Sequence, residues 1–490
     1  EAEAEAAGLL IADTEDPLLG TSETIAEMRF SSIVLLQALL GLTQEGAAVT
    51  LKAPVDQPHF WPSGRGTVGS YSASPYPAKI TQIPSWSWHH QDGLWGTIPV
   101  GTGIDNQQNI LLTAQDGLRK FSPDGQLLWT YSRRVSGPDA FETITKVAAL
   151  WKGTAFGITR RGRVFAVSMD TGRELWSTAA GDGSDGNYGH VVADDGVVIS
   201  AVDESEKLNR KTPSCCGPMN HKVVGLNATD GSILWTYEPE IPIWNFGASF
   251  VGDGTFIFQD LEGRVHRNRA SDGTLVWKAG GIPESWTDGQ ANLGPNGIVY
   301  GVSNYGINGP EGCLSAYSVS DGKMLWRHDL PTSPNSVPAV GRLFGTSGLS
   351  VVIPVGFNDR AGARIDVYAL EADTGKLVWV FDGPKQMVSM GLGDANFMAH
   401  LQRSSHRIST MTMPNSWGIP AIDGEGSVYV GGTTGHFFRL RDTNSDGVVS
   451  GEDEVFTFAT PADFVGSSGP ALAPGELAVA NANSLFVWRY

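Results

Sequence analysis

Cysteine is scarce in this chain: three residues in 490, two of them adjacent, too few for a disulfide framework. No Cys-x-x-Cys-His occurs, which excludes covalent haem attachment, so any electron acceptor must be another molecule. Basic residues are also in short supply. Thirty-four Lys and Arg against 52 Asp and Glu give a net charge of −18 and no footprint for nucleic acid or an anionic membrane surface. Residues 1–27 carry eight acids and no base, and the remainder stays acidic. Long apolar runs are missing too. The longest, Ile33–Leu42, is too short for a bilayer, which needs roughly 20 apolar residues. Charged residues make up only 18%, yet hydrophobic ones reach 41%, which excludes a disordered chain. Sixty-one Gly and 27 Pro argue against a helical bundle.

The first 46 residues stand apart from the rest. Glu1-Ala-Glu-Ala-Glu-Ala reads as the trail left by a secretion leader. Met28-Arg29-Phe30, the apolar run Ile33–Leu42 and small residues soon after form a signal-peptide-like stretch over 28–46. The expected mature domain is 47–490, secreted to the cell exterior.

What the chain has in abundance is one phrase. Asp124-Gly125-x-x-x-Trp129 recurs with Trp176, Trp235, Trp277, Trp326 and Trp379, always with Gly four residues before Trp. The tryptophans stand 42 to 59 residues apart. Alternating segments precede the turns, as in Arg163-Val-Phe-Ala-Val-Ser and Lys222-Val-Val-Gly-Leu-Asn. Asp-Gly or Thr-Gly between two such segments marks a hairpin, because Gly accepts the positive φ of a tight turn. Repeats of this length holding several short strands predict an all-β propeller of four-stranded antiparallel blades. Each outer-strand Trp is expected to fill the gap between blades. Asn227-Ala-Thr229 is a glycosylation sequon lying in one of these turns, where it also reads as turn chemistry.

Imperfect copies complete the count. Trp417-Gly-Ile-Pro-Ala-Ile through Phe437-Phe-Arg-Leu opens a seventh blade, and Ser467–Tyr490 supplies three strands of an eighth. The strand missing from the eighth is expected within Lys79–Trp88, so N- and C-terminal strands close the ring and remove its open edges. Eight blades are expected, with seven as the fallback. The seventh blade replaces its turn with Asp442-Thr-Asn444-Ser-Asp446-Gly447-Val448-Val-Ser450-Gly-Glu-Asp453. Oxygen donors at positions 1, 3, 5 and 9, Gly at 6, a carbonyl at 7 and a carboxylate at 12 form a calcium loop over 442–453. Its place between two strands suggests a structural Ca²⁺.

Lys211-Thr-Pro-Ser-Cys215-Cys216-Gly-Pro-Met219 is the second distinctive phrase, since adjacent cysteines can bond only by straining their shared peptide. With the propeller repeats, this chain resembles the quinoprotein alcohol dehydrogenases, nearest to the polyvinyl-alcohol-dehydrogenase-like proteins. The resemblance covers residues 60–490 as architecture and is detailed over His190–Tyr237. It implies pyrroloquinoline quinone at the propeller axis, with a Cys215–Cys216 ring against one face and Trp244 or Trp286 against the other. It implies a quinone-bound Ca²⁺ on Glu206 (or Glu204) and Asn304. Arg364, or Arg360, stands where the family has a basic contact to the quinone. For the catalytic base the sequence offers Asp288, Asn245 or Asn335. Cys313, two blades on, is expected to be a free buried thiol.

Three functions fit these residues. The first is a secreted quinoprotein-type dehydrogenase oxidising an alcohol or carbohydrate hydroxyl, working as a monomer with an external electron acceptor. The second is a polysaccharide lyase, in which Tyr188 or His190 abstracts a proton beside a uronate carboxylate that Arg360 neutralises. The third is a binding propeller without chemistry.

Overall fold

The computed structural model describes residues 58–67, 69–91, 99–133, 142–184, 191–204, 219–305, 311–356, 365–385, 416–464 and 469–490. They belong to the compact unit Ala53–Tyr490; Glu1–Lys52, the other unit, lies outside the described residues, and with it the whole leader-like stretch 28–46. The described residues form eight four-stranded antiparallel sheets and no helix. Seven blades are built in chain order, over 99–131, 149–179, 192–237, 249–280, 292–330, 339–382 and 421–459. The eighth takes three strands from 471–489, and its fourth is Trp86–His89. That strand pairs with Ser484–Arg489 in the register Trp86↔Val487 to His89↔Ser484, so the two ends of the propeller close the ring as expected.

Burial explains why each strand has its composition. Second strands such as Val197–Val202 and Ile298–Asn304 are buried at every position, because neighbouring blades cover both faces. Outer strands alternate: Leu275–Gly280 runs exposed, exposed, half-buried, exposed, half-buried, exposed. The Gly-containing turn joins third and fourth strands, and a β-bulge follows it in the pairing, for example between Gly225 and Leu226.

The Trp of one blade docks on the Gly of the next. Trp235 donates from Nε1 to Ala270 O at 2.7 Å and its ring stacks on Phe256. A Cβ added to Gly273 would come within 2.5 Å of the same indole. The contact recurs as Trp86–Gly125, Trp129–Gly172, Trp176–Gly231, Trp277–Gly322 and Trp326–Gly375. In each pair the indole N–H donates to a carbonyl of the following blade. Gly serves twice here, allowing the positive φ and leaving room for a ring.

Candidate functional site

Because the strands of each blade are antiparallel, inner strands begin on the face where second strands end. Residues just before the inner strands of blades 4, 5 and 6 therefore meet the ends of second strands at one mouth of the axis. There the structure gathers several sequence-predicted residues. Asn245 donates from Nδ2 to Asp288 O at 2.8 Å, and Asp288 N–H points to Asn335 Oδ1 at 3.4 Å. Asn304, the last residue of its strand, donates from Nδ2 to the same Asn335 oxygen at 2.8 Å. Asn245, Asp288, Asn304 and Asn335 are all buried. Sequence reasoning treats Asp288, Asn245 and Asn335 as rivals for one role; the fold makes them neighbours in one hydrogen-bonded chain.

The aromatic wall assembles beside this chain. Trp286 packs with Met219 and Leu261, and Trp244 lies against the same group. Asn220 reaches across from blade 3, donating to Trp244 O at 2.9 Å and Ile243 O at 3.1 Å. Gly289 is required, since a Cβ there would stand 2.4 Å from Val302 and 2.6 Å from Ser336 O. Three buried polar atoms in the cluster have no hydrogen-bond partner among the described residues: Trp244 Nε1, Asn304 Oδ1 and Asn335 Nδ2. Such atoms are uncommon in a folded interior and cost stability unless something satisfies them.

Other predicted residues fall elsewhere. Tyr188, His190, Glu206, Cys215, Cys216, Arg360 and Arg364 lie outside the described residues. Glu204 is engaged by Lys222, and beside them His221 Nδ1 meets Asp203 Oδ1 at 2.8 Å. Cys313 is a free buried thiol, and burial raises its pKa, which keeps it inert. Asn227 Oδ1 accepts Thr229 N–H at 2.8 Å, so the sequon does make a turn. Two fully buried cations among the described residues escaped sequence reasoning: Lys146, which hydrogen-bonds Ser184, and Arg65. Each is a single basic residue without a repeating context, and nothing local in the sequence marks it.

The loop at 442–453, expected to bind Ca²⁺, sits away from the axis, at the rim between blades 6 and 7. Val448 bridges to Val380 of the outer strand Leu377–Asp382. Asp442 accepts Ser445 N–H at 2.7 Å and Gly447 N–H at 3.2 Å, and Gly447 has φ +82°, the sharp bend such a loop needs. The carboxylate that folds back over the loop is Glu454, which accepts N–H bonds from Thr443, Asn444 and Ser450. Asn444, Asp446, Val448, Ser450 and Asp453 are exposed. Among the described residues, no three His, Cys, Asp or Glu side chains gather as a metal cage.

Comparison with known proteins adds the family. A family profile described as outer membrane protein assembly factor BamB matches residues 100–214 and 262–465. The assembly factor BamB of Yersinia pestis is 24% identical over 273 residues, 47% of this chain and 64% of that protein. The dehydrogenase subunit of the quinone alcohol dehydrogenase of Gluconacetobacter polyoxogenes is 26% identical over 203 residues, 36% of this chain and 26% of that subunit. The match thus spans less than two thirds of the one relative and about a quarter of the other. Among solved structures, BamB from Moraxella catarrhalis superposes with a TM-score of 0.54 at 16% identity, over 84% of this chain and 100% of that one. Quinohemoprotein alcohol dehydrogenase from Comamonas testosteroni gives 0.58 at 12%, over 87% and 80%. A europium-containing methanol dehydrogenase gives 0.57 at 10%, over 89% and 99%. These structural likenesses establish the fold.

Proposed function

The chain belongs to the PQQ-type β-propeller superfamily, within the family whose profile carries the BamB description, and on that premise we propose a quinoprotein-type dehydrogenase. Its substrate is an alcohol or carbohydrate hydroxyl, and the enzyme is secreted and monomeric, with an external electron acceptor. The observation that carries this reading is the axial cluster: a carboxyl, three asparagines and two indoles with unsatisfied polar atoms at Trp244, Asn304 and Asn335. That donor set fits a flat ligand rich in oxygen. Trp244 and Trp286 would wall it, and Asn304 and Asn335 would hydrogen-bond its edge. Glu206, Arg364 and the Cys215–Cys216 pair would complete the pocket and its Ca²⁺, with Arg360, Tyr188 and His190 at its mouth. When bound, the quinone would supply the hydride acceptor. Asp288 would take the hydroxyl proton of the substrate, Asn335 would fix its backbone, and the indoles would exclude water. A second Ca²⁺ is assigned to the loop at 442–453, as a structural staple.

The BamB relatives and the asparagines offered at two of the three base positions favour a second reading, a binding propeller without chemistry. Reconstitution with the quinone and Ca²⁺, followed by dye reduction with a panel of alcohols and sugars, separates the two. Quinone absorbance together with reduced dye is the expected result. Failure to reduce dye with any hydroxyl substrate rejects the dehydrogenase.

A further inference from the structure

We propose that Arg65 is a positioning residue of the axial site, carried by an internal plug formed from residues 61–67 and 69–74. The proposal rests on the axial cluster being the ligand site. This stretch crosses the axis and touches the inner strands of six blades. Trp61 exchanges both backbone hydrogen bonds with Ile104 of blade 1, and Pro62 O accepts Leu150 N–H of blade 2 at 2.7 Å. Tyr71 O accepts Val340 N–H of blade 6 at 2.8 Å, and Ser72 and Ser74 pair with Ile422 of blade 7. Ile104 and Ile422 end their strands, so at blades 1 and 7 the plug meets the end of the axis away from the site.

Arg65 reaches blades 4 and 5, where Ser70 Oγ also lies 3.5 Å from Ala248 O and Tyr71 packs on the apolar cluster between them. Its Nη1 donates to Ala291 O at 2.8 Å and lies 3.4 Å from Asn292 Oδ1; its Nη2 donates to Ala248 O at 3.2 Å. Ala248 follows Asn245 by three residues and Ala291 follows Asp288 by three, and each stands one residue ahead of its inner strand. One planar guanidinium thus joins the two segments that carry Asn245 and Asp288 into the site. Lysine has no second, divergent donor arm with which to hold both carbonyls in that geometry. The side chain is fully buried, and burial pushes its pKa down to about 9. The plug also covers backbone edges that inner strands would otherwise leave open along the axis.

The test is hydrogen exchange by mass spectrometry on the full chain, comparing Arg65→Met and Arg65→Lys with the parent. Segments 243–248 and 286–292 should exchange about tenfold faster in Arg65→Met. Arg65→Lys, which keeps the charge without the fork, should show most of that change and decides the matter alone if Arg65→Met fails to fold. The outer strands Ile233–Tyr237 and Leu275–Gly280 should be unchanged. Unchanged exchange at 243–248 and 286–292, or equal acceleration in the outer strands, overturns the proposal. Tryptophan quenching by the quinone with Ca²⁺, measured on the same variants, should show affinity falling alongside. A parent protein that binds no quinone would reject the quinoprotein reading and leave the exchange result to judge Arg65.

Discussion

Six seams between blades and the one between blades 6 and 7 solve the same problem with different parts. At the six, an indole reaches over a glycine and donates to a carbonyl beyond it. At the seventh seam the glycine turn is gone, and a twelve-residue loop takes its place. Trp379 is still buried there, but the blades are joined by backbone: Val380 N–H donates to Gly447 O at 3.0 Å and Val449 N–H to Val380 O at 2.9 Å. Val449 adds its side chain to the apolar cluster beneath. The difference teaches that a seam needs a hydrogen-bonded cap over an apolar contact. A side chain can supply that cap, and so can an added strand.

The largest expected effect comes from removing an indole. Trp235→Ala should cost about 4 kcal/mol of unfolding free energy, the range for truncating a well-packed large aromatic. It loses burial, the Phe256 stack and the bond to Ala270 together. Denaturant midpoints measure it. A loss below about 1 kcal/mol would show that seams hold through their aliphatic layers alone.

Glycine at these seams has two separable reasons to exist. Gly231 has φ +73° and would bring a Cβ to 2.4 Å from Trp176, whereas Gly196 has φ +79° with nothing within 4 Å. Gly196→Ala should cost about 1 kcal/mol, from backbone strain. Gly231→Ala should cost about 3 kcal/mol, because displacing the indole is added to the strain. Equal losses would mean that the ring moves aside freely and that the interlock is incidental.

The seam between blades 8 and 1 also buries a titratable group. Glu476 is fully buried at the start of its strand, and burial raises its pKa to about 8, outweighing Arg489 Nε at 3.4 Å. In the unfolded chain this carboxyl titrates near 4.5. Between those values the unfolded state holds fewer protons than the folded one, so stability falls as pH rises from about 4.5 to about 8. Glu476→Gln should flatten that slope and raise stability at pH 8.5 by about 2 kcal/mol, near the cost of a buried unsatisfied charge. Thermal melts across that range check it. An unchanged slope would place the pH dependence elsewhere.

Most of the fold was legible because its repeats are local. A Gly four residues before a Trp fixes a turn and a docking ring at once, and six copies at blade spacing leave one architecture. Strand Trp86–His89 could be placed from closure alone, since a three-stranded last blade leaves an edge. The site was legible only as types of residue. Asn245, Asp288, Asn304 and Asn335 come from three blades, and their common oxygen at Asn335 is a property of ring geometry that no local pattern carries. Arg65 was invisible for a related reason. Trp61-Pro-Ser-Gly-Arg65-Gly has the composition of a surface loop, and only the open edges of six inner strands explain why it is buried.

The smallest effect falls on the exceptional seam, where metal and hydrogen bonds have to be told apart. Asp446 supports the loop without any ion, accepting Val448 N–H at 2.8 Å and Asn444 Nδ2 at 3.1 Å. Asp446→Ala would remove those bonds along with a calcium ligand, so Asp446→Asn is the sharper variant. Its Oδ1 can still accept from Val448, while the negative charge that favours Ca²⁺ is gone. In calcium buffer it should lose the binding contribution, about 1.4 kcal/mol when free Ca²⁺ stands tenfold above the dissociation constant. In chelator it should melt close to the parent, giving up only the exposed bond from Asn444. Equal losses in both buffers would show that Glu454 and the Val380 pairing hold this seam by hydrogen bonds alone. A loss confined to calcium buffer would show that the loop took over from the tight turn by recruiting an ion where the other blades use an indole.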